Sequence, residues 1–289
     1  PPNSLPYCPE VTKIAKSGNF DLIITSEVFS LNSLKLALCT PKNLIVWHEL
    51  AKHNNIFHGL ASKFWYGVIA KICFKKATVV ARSVQARNFI SKYCKNVSDM
   101  VIDHGVNIEK FTPCKEKDNQ FAISSQLITR KHIEKSIEAF AKYLNKYDDS
   151  AKLYIMGDGD EKENLQKLAK DLGADKNIIF TGKLSHNELI KILKKSIAML
   201  VYTEKDNNMV SIVESLALAT PVITTDVPYN ASYIKGARLG IVDNNWNEDD
   251  LNELKKNDEY INNCLNYRKY LPTEYKAEQF LKIFSGEIK

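Results

Sequence analysis

Two acidic residues flank a polar loop in the stretch EKDNNMVSIVESLALATPVITT, where Asp206 lies in the loop and Glu214 follows inside an apolar, helix-like run. The start of that run, at Met209, Val210 and Ser211, is predicted to be a helix N-terminus, whose unpaired N–H groups and partial positive charge suit a pyrophosphate. Glu214 is then placed to bind a vicinal diol such as a ribose, and Asp206 to hold sugar hydroxyls. An ordinary loop, with acids favoured electrostatically near a helix start, is the alternative.

Further polar residues follow other predicted strands. In ISSQLITRKH, Arg130 and Lys131 lie between a strand and a helix. A cation there could reach the same pyrophosphate from the other side, although a solvated helix face is the commoner place for a lysine. In NLIVWHE, His48 lies at the end of a strand, where its ring could bind a substrate hydroxyl or be structural.

The elements that must position these residues are short apolar runs separated by helical patterns. Near-continuous apolar runs are typical of strands buried on both faces of a parallel sheet. Their alternation with helices predicts an α/β fold of two Rossmann-like domains, whose ligands bind at the carboxyl ends of the strands. The predicted strands are 20–28, 43–49, 77–83, 100–105, 120–125, 152–157, 177–182, 199–203, 221–225 and 239–243.

The polar, proline-containing stretch FTPCKEKDNQ indicates a domain boundary. We predict a partial N-terminal, acceptor-side domain at 1–113 and a nucleotide-sugar-binding domain at 114–272, with a C-terminal helix at 273–286 packing back on the first domain. The chain opens with Pro-Pro-Asn and no Met, so we expect that an N-terminal piece is missing.

Composition narrows the class of protein. With 289 residues, 44% of them hydrophobic, the chain is long enough for two cores. It has no run of eighteen apolar residues and no nucleic-acid-binding motif, so we predict neither a membrane span nor a nucleic-acid partner. Its six scattered cysteines favour reduced thiols in the cytoplasm.

Charge is distributed unevenly. Residues 1–113 contain 14 Lys+Arg and 7 Asp+Glu, a net of +7, whereas the remaining residues contain 26 and 27, a net of −1. The basic half suggests an anionic neighbour such as a membrane surface, a phospholipid carrier or an acidic glycan, or is simply a basic soluble surface. Its helical stretch ASKFWYGVIAKICFKKA could lie on a membrane or pack into its own domain.

Taken in order, these pieces resemble glycosyltransferase family 4, the retaining group 1 transferases whose GT-B fold consists of two facing Rossmann-like domains. The resemblance runs from about Asp21 to Phe284. HGVNIEKFTP resembles the family's hinge signature, SQLITRKH its Gly-Arg-Leu…Lys-Gly loop, and DNNMVSIVESLALATPVITT its Glu-x7-Glu motif.

The resemblance implies that Asp206 contacts the donor sugar and Glu214 the nucleotide ribose. The family's basic pair, which neutralises the leaving diphosphate, falls on Gln126 and Lys131. Gln126 stands where the family has Arg, and Arg130 could supply the lost charge. The family's glycines beside this loop are replaced here by Ser125 and His132, and its opening strand and glycine-rich loop lie before the first residue.

The resemblance also implies that His48 lies near the donor sugar and that Leu184 lies near the base. The implied activity is a retaining, metal-independent hexosyltransferase without a cofactor, with UDP favoured over GDP in the donor. Its acceptor would be a glycan or lipid-linked molecule of bacterial cell-surface synthesis. We expect a cytoplasmic protein with peripheral contact at the inner membrane face. A nucleotide-sugar epimerase and a non-catalytic, nucleotide-sugar-binding partner subunit remain alternatives.

Overall fold

The structure is a computed structural model that describes residues 7–40, 42–53 and 59–288. The chain forms two compact units, one of Pro1–Asp103 with Lys276–Lys289 and the other of His104–Tyr275. Each unit contains a parallel sheet, and each predicted strand overlaps an observed one. The predicted α/β fold with two Rossmann-like domains is therefore confirmed. In the described ranges, no helix is long and apolar enough to cross a bilayer.

The first unit has a sheet in which four parallel strands follow chain order. Its strands are β1 (Ile23–Ser26), β2 (Leu44–His48), β3 (Thr78–Ala81) and β4 (Val97–Val101). Its helices are α1 (Val11–Ser17), α2 (Leu31–Cys39), α3 (Leu60–Phe64), α4 (Lys71–Cys73) and α5 (Val84–Ile90), with a π turn (Trp65–Ala70) between α3 and α4. One core holds Tyr66 and Phe74, and a second is closed by Phe280 and Ile283 from near the C-terminus.

The second unit has a six-stranded parallel sheet in the order β10–β9–β8–β5–β6–β7. Its strands are β5 (Gln120–Ser124), β6 (Lys152–Met156), β7 (Ile178–Gly182), β8 (Met199–Leu200), β9 (Val222–Thr224) and β10 (Gly240–Val242). Its helices are α6 (Ile133–Lys146), α7 (Lys162–Asp171), α8 (His186–Lys195), α9 (Val210–Ala217), α10 (Asn230–Gly236), α11 (Glu248–Lys256) and α12 (Glu259–Tyr267). Helix α13 (Thr273–Ser285) begins in this unit and ends in the first. The order of strands is that of a complete Rossmann sheet.

The predicted boundary at residue 113 lies ten residues too late, because the polar stretch used to place it belongs to the second unit. Val106 donates its N–H to the carbonyl of Leu271 at 3.0 Å. Phe111 is buried in the second unit's core, and Arg268 donates to the Phe111 carbonyl at 2.7 Å. These contacts fix residues 104–113 to the C-terminal unit.

Two glycines bring the loops after β5 and β6 into backbone contact. A Cβ on Gly157 would lie 1.8 Å from the carbonyl oxygen of Ser125, and one on Gly159 would lie 2.3 Å from that of Leu127. Gly157 also has a φ of +147°, which side-chain-bearing residues rarely adopt. The loop that follows β5 is thus supported by a backbone surface that only glycine can form.

Candidate functional site

The candidate site lies where the strand order of the second sheet reverses, between β5 and β8. Loops that leave these neighbouring strands run to opposite faces of the sheet, and the crevice between them is where Rossmann-like sheets bind ligands. A small pocket opens here, and both Lys131 and Met209 line it. The structure therefore brings together two of the groups predicted to hold a pyrophosphate. Other residues that line the pocket are Ile123, Ser124, Ser125, Ile133, Ser136, Leu200, Val201 and Tyr202.

Asp206 connects the two loops through a group that we call the Asp206 ion cluster: Asp206, Arg130, Lys131 and Thr203. The Lys131 ammonium lies 2.7 Å from Oδ2, and the Arg130 guanidinium 3.0 Å from Oδ1. Thr203 donates its hydroxyl to Oδ2 at 2.6 Å. Both carboxylate oxygens are engaged, so Asp206 positions the two cations; its predicted contact with the donor sugar stays a prediction.

Electrostatics keep Asp206 ionised. Burial raises the pKa of its carboxyl, but hydrogen bonds from Lys131, Thr203 and Arg130 and the charge of Lys131 together hold the pKa below its usual value. The carboxylate is therefore charged at neutral pH, and it fixes two cations beside the pocket.

The residue after Lys131 turns the chain into α6 in an unusual conformation. His132 has a φ of +41°, in the left-handed region that favours glycine. Its ring lies 2.7 Å from Glu134 and 2.8 Å from Glu204. The hydrogen bond to Glu134 is the largest influence on the pKa of His132 and, together with Glu204, raises it despite partial burial. These two ion pairs hold a conformation that a glycine would adopt without strain.

The N-terminus of α9 differs in detail from the prediction. Met209 is the residue that precedes the helix, and its N–H donates to Oδ1 of the buried Asn230 at 2.8 Å. That N–H is therefore engaged within the protein, and Met209 contributes an apolar wall to the pocket. The N–H groups of Val210 and Ser211 belong to the first turn of α9, which has no preceding helical carbonyls to accept them.

Glu214 lies in α9, with its side chain 16% exposed. Its Oε1 is 3.0 Å from Nε2 of His186, the first residue of α8. The His186 ring also contacts Phe111 edge to face. The role of His186 was not predicted: it follows Ser185 of a helix capping box, and nothing in that local pattern points to Glu214. Oε2 of Glu214 remains on the same carboxylate for a diol.

Two further predicted residues lie on loops at the same edge of the sheet. Gln126 is exposed immediately after Ser125, in the loop that Gly157 supports. Leu184 lies two residues after β7 and is partly buried against the second unit's core. The structure leaves the predicted diphosphate role of Gln126 and the predicted base contact of Leu184 as predictions.

His48 is the one predicted site residue in the first unit, and its environment differs from the prediction. Its side chain is fully buried, stacked on Phe89 and edge to face with Tyr66. Nδ1 lies 3.0 Å from Oε2 of Glu27, whose φ is +67°. Among the described residues, Nε2 has no hydrogen-bond partner. The prediction that the ring faces an open cleft is wrong here, because aromatic rings from distant positions enclose it.

The fold and this site define a class of protein, the α/β proteins with two Rossmann-like domains of the GT-B type. Residues 107–268 match the model of a family described as Glycosyl transferases group 1. The chain belongs to this family, and the matched segment contains the whole candidate site of the second unit.

Individual relatives and solved structures agree with this assignment. The chain is 26% identical over 255 residues to alpha-monoglucosyldiacylglycerol synthase of Streptococcus pneumoniae, covering 79% of this chain and 57% of that protein. It is 30% identical over 171 residues to the O-antigen chain mannosyltransferase RfbU of Salmonella typhimurium, covering 57% of this chain and 47% of that protein. The chain spans about half the length of the curated relatives it matches.

Among solved structures, one of Anabaena HepE in complex with UDP has a TM-score of 0.71 at 14% identity, covering 96% of this chain and 82% of that one. A structure of S. aureus TarM with UDP among its ligands has a TM-score of 0.67 at 20% identity, covering 95% of this chain and 58% of that one. At these identities the likeness supports the fold.

Proposed function

We propose that this protein is a glycosyltransferase that takes a sugar from a nucleoside diphosphate, UDP rather than GDP, and transfers it to a hydroxyl group of a glycan or lipid-linked acceptor. The pathway we propose is bacterial cell-surface glycan or glycolipid synthesis. The observation that carries the proposal is that Lys131 and the Met209 end of α9 line one pocket at the strand-order reversal. Family membership and the surface-glycan names of the relatives support it.

The proposed donor site divides the nucleotide among three groups. Lys131 and Arg130 bind the diphosphate from one side, and the N–H groups of Val210 and Ser211 bind it from the other. Glu214 accepts hydrogen bonds from the ribose hydroxyls. A carboxylate suits a vicinal diol because its two oxygens can accept two donors at once.

Catalysis follows from charge that grows on the departing diphosphate. Donors that are already in place when that charge develops stabilise the transition state without reorganising. Asp206 holds Lys131 and Arg130 in position, so these cations meet that requirement. We propose a metal-independent, retaining transfer of a hexose in which the two cations and the α9 dipole supply this stabilisation.

The test separates the diphosphate from the nucleoside. Calorimetry compares UDP and uridine binding to the whole chain and two variants, with EDTA present throughout. Lys131→Met should weaken UDP binding by about 10- to 100-fold, because a hydrogen bond to a charged group contributes about 1.5–3 kcal/mol. It should leave uridine binding unchanged. Glu214→Gln should weaken both ligands alike, because both contain the ribose.

Lys135→Met is the matched control, because Lys135 lies on α6 and its exposed side chain pairs with Glu138 at 3.3 Å. Near-ultraviolet circular dichroism checks that each variant is folded. Equal loss of UDP and uridine binding in Lys131→Met, or equal UDP binding by both lysine variants, would contradict the diphosphate assignment. Release of UDP from a UDP-sugar only when an acceptor is added would distinguish a transferase from a binding subunit.

The finer proposal on location concerns the acceptor. A lipid-linked acceptor is confined to a membrane, so we propose that the protein works as a peripheral protein at the inner membrane face. The net charge of +7 in residues 1–113, the difference between 14 Lys+Arg and 7 Asp+Glu, supports attraction to anionic lipids.

A further inference from the structure

The outer side of the helical segment between Leu60 and Cys73 carries exposed apolar side chains at every fourth residue. They are Leu60, Phe64, Val68 and Ile72, with exposed fractions between 43% and 69%. We call these four residues the apolar stripe. Isolated exposed apolar residues are common on protein surfaces, but a continuous row marks an interaction surface.

The π turn at Trp65–Ala70 keeps this row on one side of the helix. In an α-helix of 3.6 residues per turn, each step of four residues advances about 40° beyond a full turn, so a row drifts around the axis. A π turn holds more residues than an α turn, and it rotates the row back. The opposite side anchors the segment: Trp65, Tyr66 and Phe74 are buried, and the Trp65 indole donates to the Val28 carbonyl at 2.9 Å.

The surroundings of the apolar stripe are basic. Between Glu49 and Asp99 the sequence contains nine Lys+Arg and no acidic residue. A shallow surface groove contains Lys71 of this segment together with Lys92 and Lys95. The exposed lysines on or beside the stripe are Lys63, Lys71, Lys75, Lys76, Lys92 and Lys95.

We propose that the apolar stripe inserts into the interface of an anionic lipid bilayer, with the segment lying flat on the surface. This inference rests on the lipid-linked acceptor proposed above. An amphipathic segment of this kind buries its apolar side about 5–10 Å deep while basic residues contact the headgroups. The charge pattern favours a bilayer over a protein groove, because anionic headgroups surround an inserted side chain and give lysines on both sides a partner.

The experiment is co-sedimentation of the whole chain with vesicles of phosphatidylcholine alone or mixed with phosphatidylglycerol. Binding should be at least about tenfold stronger with the anionic lipid at low salt, and it should fall at high salt because the attraction is screened. The variant Phe64→Ser/Ile72→Ser should lose about tenfold or more of the binding. The matched control is Leu38→Ser/Leu281→Ser, which removes two exposed apolar residues of the same unit outside the stripe and should bind within about twofold of the parent.

Equal binding of the stripe variant and the parent, or equal binding of the parent to neutral and anionic vesicles, would overturn the proposal. Absence of vesicle binding, together with a dimer that the stripe variant converts to a monomer, would assign the stripe to a second copy of the chain and would also overturn it. UDP calorimetry on the same samples separates the two proposals. A chain that binds UDP but not vesicles refutes the membrane surface alone, and one that binds vesicles but not UDP refutes the donor site alone.

Discussion

Replacing Asp206 by Asn should destabilise the second unit, because it removes the anion that holds two cations at the candidate site. Lys131 is the more affected partner: its side chain is 10% exposed and lies 2.7 Å from Asp206. Arg130 is 41% exposed and retains a hydrogen bond to the Lys205 carbonyl at 2.8 Å. The variant thus leaves a mostly buried ammonium without its carboxylate.

The expected size follows from this geometry. At 2.7 Å and an effective dielectric constant of about 20, the attraction of one charge pair is about 6 kcal/mol before desolvation is counted. Breaking a buried pair costs about 3–5 kcal/mol, and water reaches part of this one. We therefore expect the free energy of unfolding of the second unit to fall by about 2–3 kcal/mol at pH 7.5.

The measurement is urea-dependent hydrogen exchange of peptides that contain β5 and β8, which reports on the second unit alone. The matched control is Asp249→Asn, because Asp249 pairs with Lys146 at 2.5 Å but both side chains are about half exposed. That control should lose no more than about 1 kcal/mol, as is usual for exposed pairs. Equal losses in the two variants would refute the reasoning.

The pH dependence gives an independent check on the same carboxylate. Because the folded protein holds the pKa of Asp206 below its usual value, its contribution to stability is present above the ordinary Asp pKa of about 3.9 and is lost as the pH falls through the folded value. The difference between parent and Asp206→Asn should therefore shrink in acid. In addition, Asp206→Asn combined with Lys131→Met should be more stable than the sum of the single losses predicts.

Two further changes test how the fold supports the site. Gly157→Ala should lower the free energy of unfolding by about 3 kcal/mol or more and weaken UDP binding, since its Cβ would meet the Ser125 carbonyl at 1.8 Å; Gly236→Ala, with nothing within 4 Å, should change urea unfolding by less than about 0.5 kcal/mol, and similar results for both would contradict the backbone contact. Burial lowers the pKa of Lys117 to about 8, so parental stability should rise relative to Lys117→Met between about pH 8 and 10, by at most about 1.4 kcal/mol per unit; parallel urea-midpoint curves would refute this.

The sequence predicted the order and class of the elements because buried parallel strands have a local signature. Runs such as QFAIS and KLYIM are apolar nearly throughout and became β5 and β6. The exception is β4, predicted at 100–105 but observed at Val97–Val101. The apolar residue that shifted the prediction, Ile102, is buried against α13 from the other end of the chain, and its carbonyl accepts the Trp47 indole N–H at 2.6 Å. No local pattern contains those contacts.

The sequence by itself determined which residues gather at the edge of the second sheet. Because the carboxyl ends of parallel strands share one edge, the loops carrying Lys131, Asp206 and Met209 had to meet once the strands were recognised. Only the tertiary structure decided their partners: Asp206 engages two cations, Glu214 pairs with His186, and His48 is enclosed by aromatic rings. The physical reason is range. Strand and helix patterns act over a few neighbouring residues, whereas hydrogen bonds and ion pairs depend on distances of about 3 Å between side chains that packing alone brings together.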